Sequence, residues 1–510
     1  MRLAACLLAA LACVAQEAMV DQAVEKIRNT FEVPGMAVAV VKDGKAVLAK
    51  GYGVRKLGET APVTARSLFG IASNTKAFTA AALAILVDEK KAAWDDPVIH
   101  HLPYFQMYDP YVTREMTVRD LLVHRSGLGL GAGDLLYWPP SDIPGEEIIR
   151  RLRFIKPASS FRSKYAYDNI LYLVAGQVVA AASGMKWDEF IRERIFRPVG
   201  MIHSNTSVRE LKQAADTATP HAREEGRLRP IEPAPFDNNP AAAAINSPVE
   251  DMAKWIAVQL NRGALPGGGR LFSAAQSHAM WSPQTIIPVG LPRPETPAAL
   301  RGDFSAYGLG WGLGQYRGRK TVTHSGALPG YASRVLMVPD LNLGVVVLTN
   351  QEATGPYQAL VCTILDHYMQ ANDTNWAEYY RKAAIREEDS ANEAVKKAAA
   401  ARNANSRPSL APAGYAGRYR DAWYGDMVIE NAGGRLAMRF THTPQLSGDL
   451  EHWQYDTFIV RWRNRTLLAD AYVTFALKPD GAVDQVKMAA VSPLTDFSFD
   501  FQDLLFRPVK

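Results

Sequence analysis

Residues 67–91 read SLFGIASNTKAFTAAALAILVDEKK, and the rest of the chain is interpreted around this stretch. Ser73 and Lys76 stand in an S-x-x-K arrangement at the opening of a long apolar helical run, behind the apolar approach Leu68-Phe69-Gly70-Ile71. One helical turn separates the two side chains, so the Lys76 amine can reach the Ser73 hydroxyl, and the helix N-terminus favours negative charge developing beside it. S-x-x-K arises by chance about once or twice in a chain of this length, so an ordinary helix cap is the competing reading. The chain contains its own control: in Ser183-Gly184-Met185-Lys186 the glycine follows one helical run and precedes another, WDEFIRERIF, which reads as a helix end.

Two further elements can share chemistry with Ser73. Tyr167-Asp168-Asn169 is the only Y-x-N among the 20 tyrosines. A phenol near two cationic groups can lose its proton near neutral pH and act as a base, and an asparagine two residues on can bond a substrate amide. A core tyrosine followed by a turn-forming asparagine is the alternative. His324-Ser325-Gly326 lies at the mouth of a strand pattern, KTVTHSGALPGYASRVLMV. Gly326 would let a substrate lie close against the strand, and the Ala327 N–H could then join that of Ser73 as an oxyanion hole. A lone histidine is more often structural, and that reading of His324 stays open.

Working outward, residues 20 to 370 alternate apolar runs with helical patterns, as an α/β domain does. GMAVAVVKDGKAVLAKGYGV predicts a hairpin: strand Met36 to Val41, a turn at Asp43-Gly44, and strand Lys45 to Ala49. VEDMAKWIAVQL predicts a helix with Ser247 as N-cap and Glu250 completing a capping box. Near residue 382 the composition changes to Ala and charge without a sustained apolar stripe, and residues 382–412 read as an exposed helical linker. Beyond it, DMVIE, RLAMRF, TFIVRW and AYVTFAL, with turns at Gly433-Gly434 and Asp480-Gly481, predict a small all-β barrel or sandwich over 413–510. Every candidate residue precedes the linker, so a chain cut after Arg381 is expected to fold and still be acylated.

The balance of 57 basic against 52 acidic residues, a net +5, is far too weak to imply nucleic acid. At 48% hydrophobic and 21% charged, the 510 residues exclude disorder for most of the chain. The opening MRLAACLLAALACVAQE places Arg2 before an apolar stretch ending near Val14, with Ala15 as cleavage boundary, and reads as a signal peptide over 1–15. A membrane anchor needs roughly 20 apolar residues, so no transmembrane segment is expected after its removal, and an exported, periplasmic or secreted protein is. Ala12-Cys13 loosely resembles a lipoprotein site that would anchor Cys13, but Ala10 stands where such sites usually carry leucine. Cys6 and Cys13 lie in the leader, leaving Cys362 alone, so no internal disulfide is expected. No H-E-x-x-H or Gly-rich phosphate motif occurs, and His100-His101 follow a Pro-rich stretch, so neither metal nor cofactor is expected.

In order and spacing, S-x-x-K, then Y-x-N about 90 residues on, then H-x-G about 155 residues after that, the chain resembles the family of class C β-lactamases, DD-peptidases, D-aminopeptidases and related esterases. GYGVRKLG, LLVHRSGL around His124 and Ser126, FRPVGM, SPVEDMAKW and YGLGWG extend the resemblance over roughly residues 20 to 370. It implies a β-lactamase/transpeptidase-like domain over 16–381, with an antiparallel sheet flanked by helices. The implied enzyme is a serine hydrolase in which Ser73 is acylated, Lys76 and Tyr167 handle the proton, and Asn169, His324 and Gly326 bind a small-molecule or peptide substrate. The tail is similar to an accessory domain of unknown function that contributes recognition rather than chemistry. The family's β-lactamases and DD-peptidases usually carry Lys at the place of His324, where it helps bind the substrate carboxylate. Peptides, D-amino-acid amides or esters are therefore the expected substrates, with a β-lactamase or DD-carboxypeptidase as the alternative. A catalytically silent protein that binds cell-wall peptide is the reading from another class. The pocket walls are expected from the loops Leu128 to Pro144 and Pro220 to Pro240.

Overall fold

The computed structural model of this protein describes side chains from Glu17 to Val509 and, ahead of them, the backbone of the first helix, α1 (Arg2–Phe31). The side chains of the expected signal peptide, Cys6 and Cys13 among them, lie outside the described residues. No single described helix is long and apolar enough to cross a membrane.

The apolar run GMAVAVVK forms strand β1 (Gly35–Lys42), which turns into β2 (Lys45–Gly53). Asp43 and Gly44 both hold positive φ, +52° and +77°, the geometry that matches a hairpin to the right-handed twist of its strands. The hairpin belongs to an eight-stranded antiparallel sheet with β3 (Thr285–Ile286), β4 (Ala306–Tyr307), β5 (Gly312–Tyr316), β6 (Arg319–Leu328), β7 (Tyr331–Val338) and β8 (Leu343–Thr349). The strand order is β2-β1-β8-β7-β6-β5-β4-β3. β1 pairs with β8 from Met36↔Thr349 to Lys42↔Leu343, so the two ends of the domain meet in adjacent strands of the sheet.

Both faces of this pair are covered, which is why β1 reads as an unbroken apolar run rather than an alternation. Met36, Val38 and Val40 pack into one cluster with Val345, Val347 and residues of α1 and of α5 (Gly355–Tyr368). Ala37, Ala39 and Val41 join a second cluster with α2 (Thr75–Asp88), α3 (Ile170–Ser183) and α4 (Val249–Leu260). α2 is buried along almost its whole length, a second reason that its sequence is apolar all round.

Two local expectations are corrected. Ser247 does not cap α4: the N-cap is Pro248, because the strand pair Phe69↔Ser247 draws Ser247 away, and its Oγ meets Ser204 Oγ at 2.8 Å. Glu250 forms an ion pair with Arg66 instead of a capping box. The helix ahead of the tail, α6 (Trp376–Ala400), also begins before the predicted linker. Its Trp376 is buried and donates to Asp366 Oδ2 at 2.7 Å, fixing the helix start while the later turns are largely exposed.

The tail folds as β9 (Gly417–Asp421), β10 (Gly425–Ala432), β11 (Arg435–Phe440), β12 (Ser447–Gln454), β13 (Thr457–Trp462), β14 (Ala471–Leu477), β15 (Val483–Ala490) and β16 (Arg507–Pro508). These make one antiparallel sheet in the order β15-β14-β13-β12-β11-β10-β9-β16. Its ends meet where Val486 and Phe506 exchange both backbone bonds, at 2.9 and 3.0 Å, so the sheet is a nearly closed barrel and not a sandwich. Alternate residues such as Leu436, Met438 and Phe440 point into its core.

The chain between β15 and β16 leaves the barrel and reaches the first domain. There the buried Asp500 accepts the Gly133 and Leu135 N–H groups at 2.7 and 3.1 Å. Asp500→Ala orphans both donors, at about 1–3 kcal/mol each. Its thermal unfolding temperature is expected to fall clearly below that of the parent; an unchanged temperature would show that water replaces the carboxylate.

Candidate active site

Ser73 sits on a 3-10 turn, Ala72–Asn74, that leads directly into α2. Ala72 holds φ +52°, a left-handed conformation that costs an alanine energy and persists only where its surroundings enforce it. The neighbour that enforces it is β6. A Cβ on Gly326 would lie 2.4 Å from Ile71 O and 2.8 Å from Ala72 Cβ, so only glycine lets the strand press against the turn. Gly326 thus accommodates the backbone of the Ser73 turn.

Lys76 is fully buried, and its Nζ donates to Ser73 Oγ at 2.9 Å, Asn169 Oδ1 at 2.7 Å and Ala242 O at 3.2 Å. It also lies over the rings of Tyr167 and Tyr172, 5.0 and 5.2 Å from their centroids. Burial pulls its pKa down to about 7, against the opposing charges of Asp134 and Asp168. A free amine at neutral pH can therefore stand in hydrogen-bond reach of the Ser73 hydroxyl.

Tyr167 hydrogen-bonds to Ser73 as well, but burial pushes its phenol well above the ordinary tyrosine range. The expectation of a tyrosinate near neutral pH is thus corrected: the site holds one group ready to take a proton, and it is Lys76. The neighbouring His324 is neutral as well. Its Nδ1 faces Ser325 O at 2.6 Å and must carry the proton, since a carbonyl only accepts, so Nε2 accepts from Tyr307 OH at 2.8 Å. Burial, with help from Lys76 and Arg334, lowers the His324 pKa to about 3.

Asn169 is a bridge in this structure. Its Oδ1 receives Lys76 and its Nδ2 donates to Asp134 Oδ2 at 2.7 Å, leaving one N–H for a substrate carbonyl. Asp134, unexposed, also accepts the Tyr137 hydroxyl and, at 2.8 Å, Ser498 Oγ from the tail. Burial raises its pKa to about 7 against these donors and Lys76. His124, familiar from the resemblance alone, lies 4.3 Å from the Tyr167 ring and accepts Asp168 N–H at 3.2 Å.

A cavity of about 560 Å³ opens over these groups and is lined by Ser73, Tyr167, Asn169, His324, Gly326 and Ala327, all six cavity-facing candidates from the sequence. Part of its wall is aromatic: Trp138 stacks on Phe236 at 5.0 Å, one from each loop expected to form the pocket. Asp496 and Arg334 supply its formal charges outside Lys76. Phe497, from the tail, meets Tyr167 edge to face at 5.9 Å. The cut after Arg381 would remove part of this wall. Ser183, the other S-x-x-K serine, ends α3 with its Oγ on Val179 O at 2.7 Å and Gly184 in the left-handed cap. No three His, Cys, Asp or Glu among the described residues are grouped to hold a metal ion.

Asp134, Tyr307, Phe497 and Ser498 were not among the site residues read from the sequence; Tyr307 entered only as part of YGLGWG. Asp134 and Tyr137 lie in a loop marked only as pocket wall, and Ser498 is 364 residues away from the carboxylate it bonds.

An antiparallel sheet between helical layers, with a serine and a buried lysine one turn apart beside strand β6, defines a β-lactamase/transpeptidase-like fold. A family model described as β-lactamase matches residues 20–361, and the chain belongs to that family of hydrolases. A second model, a domain of unknown function (DUF3471), matches residues 401–508, the barrel. The unguisins hydrolase ungD' of Aspergillus campestris is 32% identical over 360 residues, 68% of this chain and 64% of that protein. Unguisins hydrolase ungD of Aspergillus violaceofuscus is 27% identical across 90% of this chain and 86% of its own length. Protein flp of Staphylococcus aureus is 27% identical over 65% of this chain and 62% of its own. The matched stretch thus spans just under two thirds of the first and third of these relatives. The octameric penicillin-binding protein homologue from Pyrococcus abyssi shares the fold with a TM-score of 0.60 at 22% identity, over 96% of this chain and 98% of that one.

Proposed function

We propose that the protein is an exported serine hydrolase that works through an acyl-enzyme on amide or ester bonds of small peptides, D-amino-acid amides or esters. The observation that carries this reading is the 2.9 Å bond between a buried Lys76 amine, its pKa held near 7, and the Ser73 hydroxyl. Ser73 Oγ attacks the substrate carbonyl carbon as its proton passes to Lys76 Nζ. The Ser73 and Ala327 N–H groups receive the oxyanion, an effect worth about 2.7–4 kcal/mol per donor. The proton returns to the leaving group from Lys76 by way of the Tyr167 hydroxyl, and water activated by the same pair releases the acyl group. Asn169 orients the substrate amide with its remaining N–H. Export rests on the pattern of residues 1–15.

Three observations favour peptides and neutral esters over β-lactams. The place where a cation would meet a β-lactam carboxylate holds the neutral, doubly bonded His324. Aromatic walls suit apolar side chains. Third, two relatives carry the name unguisins hydrolase rather than β-lactamase. Turnover of p-nitrophenyl esters, D-alanyl anilides and nitrocefin tests this order of preference: the first two are expected to be cleaved and nitrocefin poorly. A chain that is never labelled by a fluorophosphonate or a penicillin would instead be a binding protein.

His324→Lys puts a permanent cation at the strand mouth. The ratio of kcat/KM for penicillins over neutral esters is expected to rise about tenfold, the scale of one charge-assisted hydrogen bond. A ratio that stays level or moves toward esters would show that His324 does not face the anionic end of the substrate.

A further inference from the structure

The tail contributes more than a wall to the cavity. From Ser498 a run of hydrogen bonds leads to the reacting serine: Ser498 Oγ to Asp134 Oδ2 at 2.8 Å, Asn169 Nδ2 to the same oxygen at 2.7 Å, Lys76 Nζ to Asn169 Oδ1 at 2.7 Å, and Lys76 Nζ to Ser73 Oγ at 2.9 Å. Asp500 fastens the backbone on either side of Asp134 through Gly133 and Leu135. We propose that the C-terminal barrel is a working part of the active site, in which Ser498 and Asp500 are positioning residues that hold the Asp134 carboxylate and, through Asn169, set the placement and charge of Lys76. The inference rests on the reading in which Lys76 takes the Ser73 proton.

A carboxylate without exposure needs donors to stay ionised. Asp134 has three, each from a different part of the chain: Tyr137 on its own turn, Asn169 at the start of α3, and Ser498 from the tail. Among the described residues no arginine or lysine bonds it directly; its countercharge is Lys76, on the far side of the Asn169 amide. The other groups facing this pair are Asp168 and Asp500, both carboxyls, and Tyr167 and Tyr172, both neutral phenols. His124 and His324 face Lys76 as well, and burial keeps both neutral. Asp134 and Asp168 are therefore the charges that favour the Lys76 ammonium against burial.

The sign of the effect follows. Neutralising Asp134 removes stabilisation from the ammonium, so the Lys76 pKa falls further and the free amine persists to lower pH. The rising limb of the kcat/KM profile moves toward acid. A single opposite charge at this range shifts such a group by about one unit. Ser498→Ala deprives the carboxylate of one donor and moves the limb the same way by less. A loop that merely glued two domains together would lower stability or the fraction of active molecules and leave the limb in place.

The test uses the full chain. Asp134→Asn, Ser498→Ala and the conservative Ser498→Thr are titrated for active sites with a fluorophosphonate, and kcat and KM for one neutral ester are then followed against pH. The expected result is an acid shift of about one pH unit for Asp134→Asn, a smaller one for Ser498→Ala with kcat down about tenfold, and recovery in Ser498→Thr. An unmoved limb in both Asp134→Asn and Ser498→Ala, or losses accounted for entirely by fewer active sites, would overturn the proposal. If the parent chain itself takes no fluorophosphonate, the serine-hydrolase reading fails first and carries the inference with it.

Discussion

Ser73→Ala is expected to abolish ester and amide turnover while leaving the circular dichroism and unfolding temperature of the protein as they were. The hydroxyl makes no capping bond to α2, whose N-cap is Asn74, and its partners Lys76 and Tyr167 both belong to the site. Removing it therefore takes away the nucleophile and little stability. Ser183→Ala loses only the hydroxyl bonds at a helix end and is expected to keep full activity. Equal losses in the two variants would place the nucleophile elsewhere.

Lys76→Met is expected to lower kcat/KM by about 10²–10⁴-fold, the range of a positioned general base. Its active-site titre is expected to survive better than its rate, since Ser73 and the oxyanion donors remain. In the parent chain, burial lowers the Lys76 pKa to about 7, so the base form is lost as pH falls through that value. Acylation is accordingly expected to rise with pH through neutrality, and the limb to vanish in Lys76→Met. A parent profile flat between pH 5 and 9 would mean that Lys76 keeps one protonation state and only orients Ser73.

The sequence was most legible where chemistry and local geometry coincide. Asp43-Gly44 dictates a turn with two left-handed residues, and the strands on either side follow from it. Ser73 and Lys76 are one helical turn apart, so their contact is written in the spacing. The barrel strands were readable because they alternate, yet barrel and sandwich alternate alike; only the pairing of Val486 with Phe506 distinguishes them. Gly326 was identified as a close approach, but its packing against Ile71 and Ala72, about 250 residues earlier, was not foreseen. Tyr167 was placed in the site but given the wrong charge, because burial outweighs its neighbours and no sequence pattern reports burial on that scale. Asp134 and Ser498 were not singled out in the sequence: a buried carboxylate satisfied by Tyr137 on its own turn and by Asn169 and Ser498 from 35 and 364 residues away leaves no periodicity.

The account stands or falls on covalent chemistry at Ser73. The direct measurement is the intact mass of the protein acid-quenched during turnover of a slowly hydrolysed ester, followed by peptide mapping of any adduct. The expected result is a mass increase equal to the acyl group, carried by the peptide that contains Ser73 and absent from Ser73→Ala. Continued turnover with no adduct at any quench time, or an adduct mapped to a different residue, would contradict it.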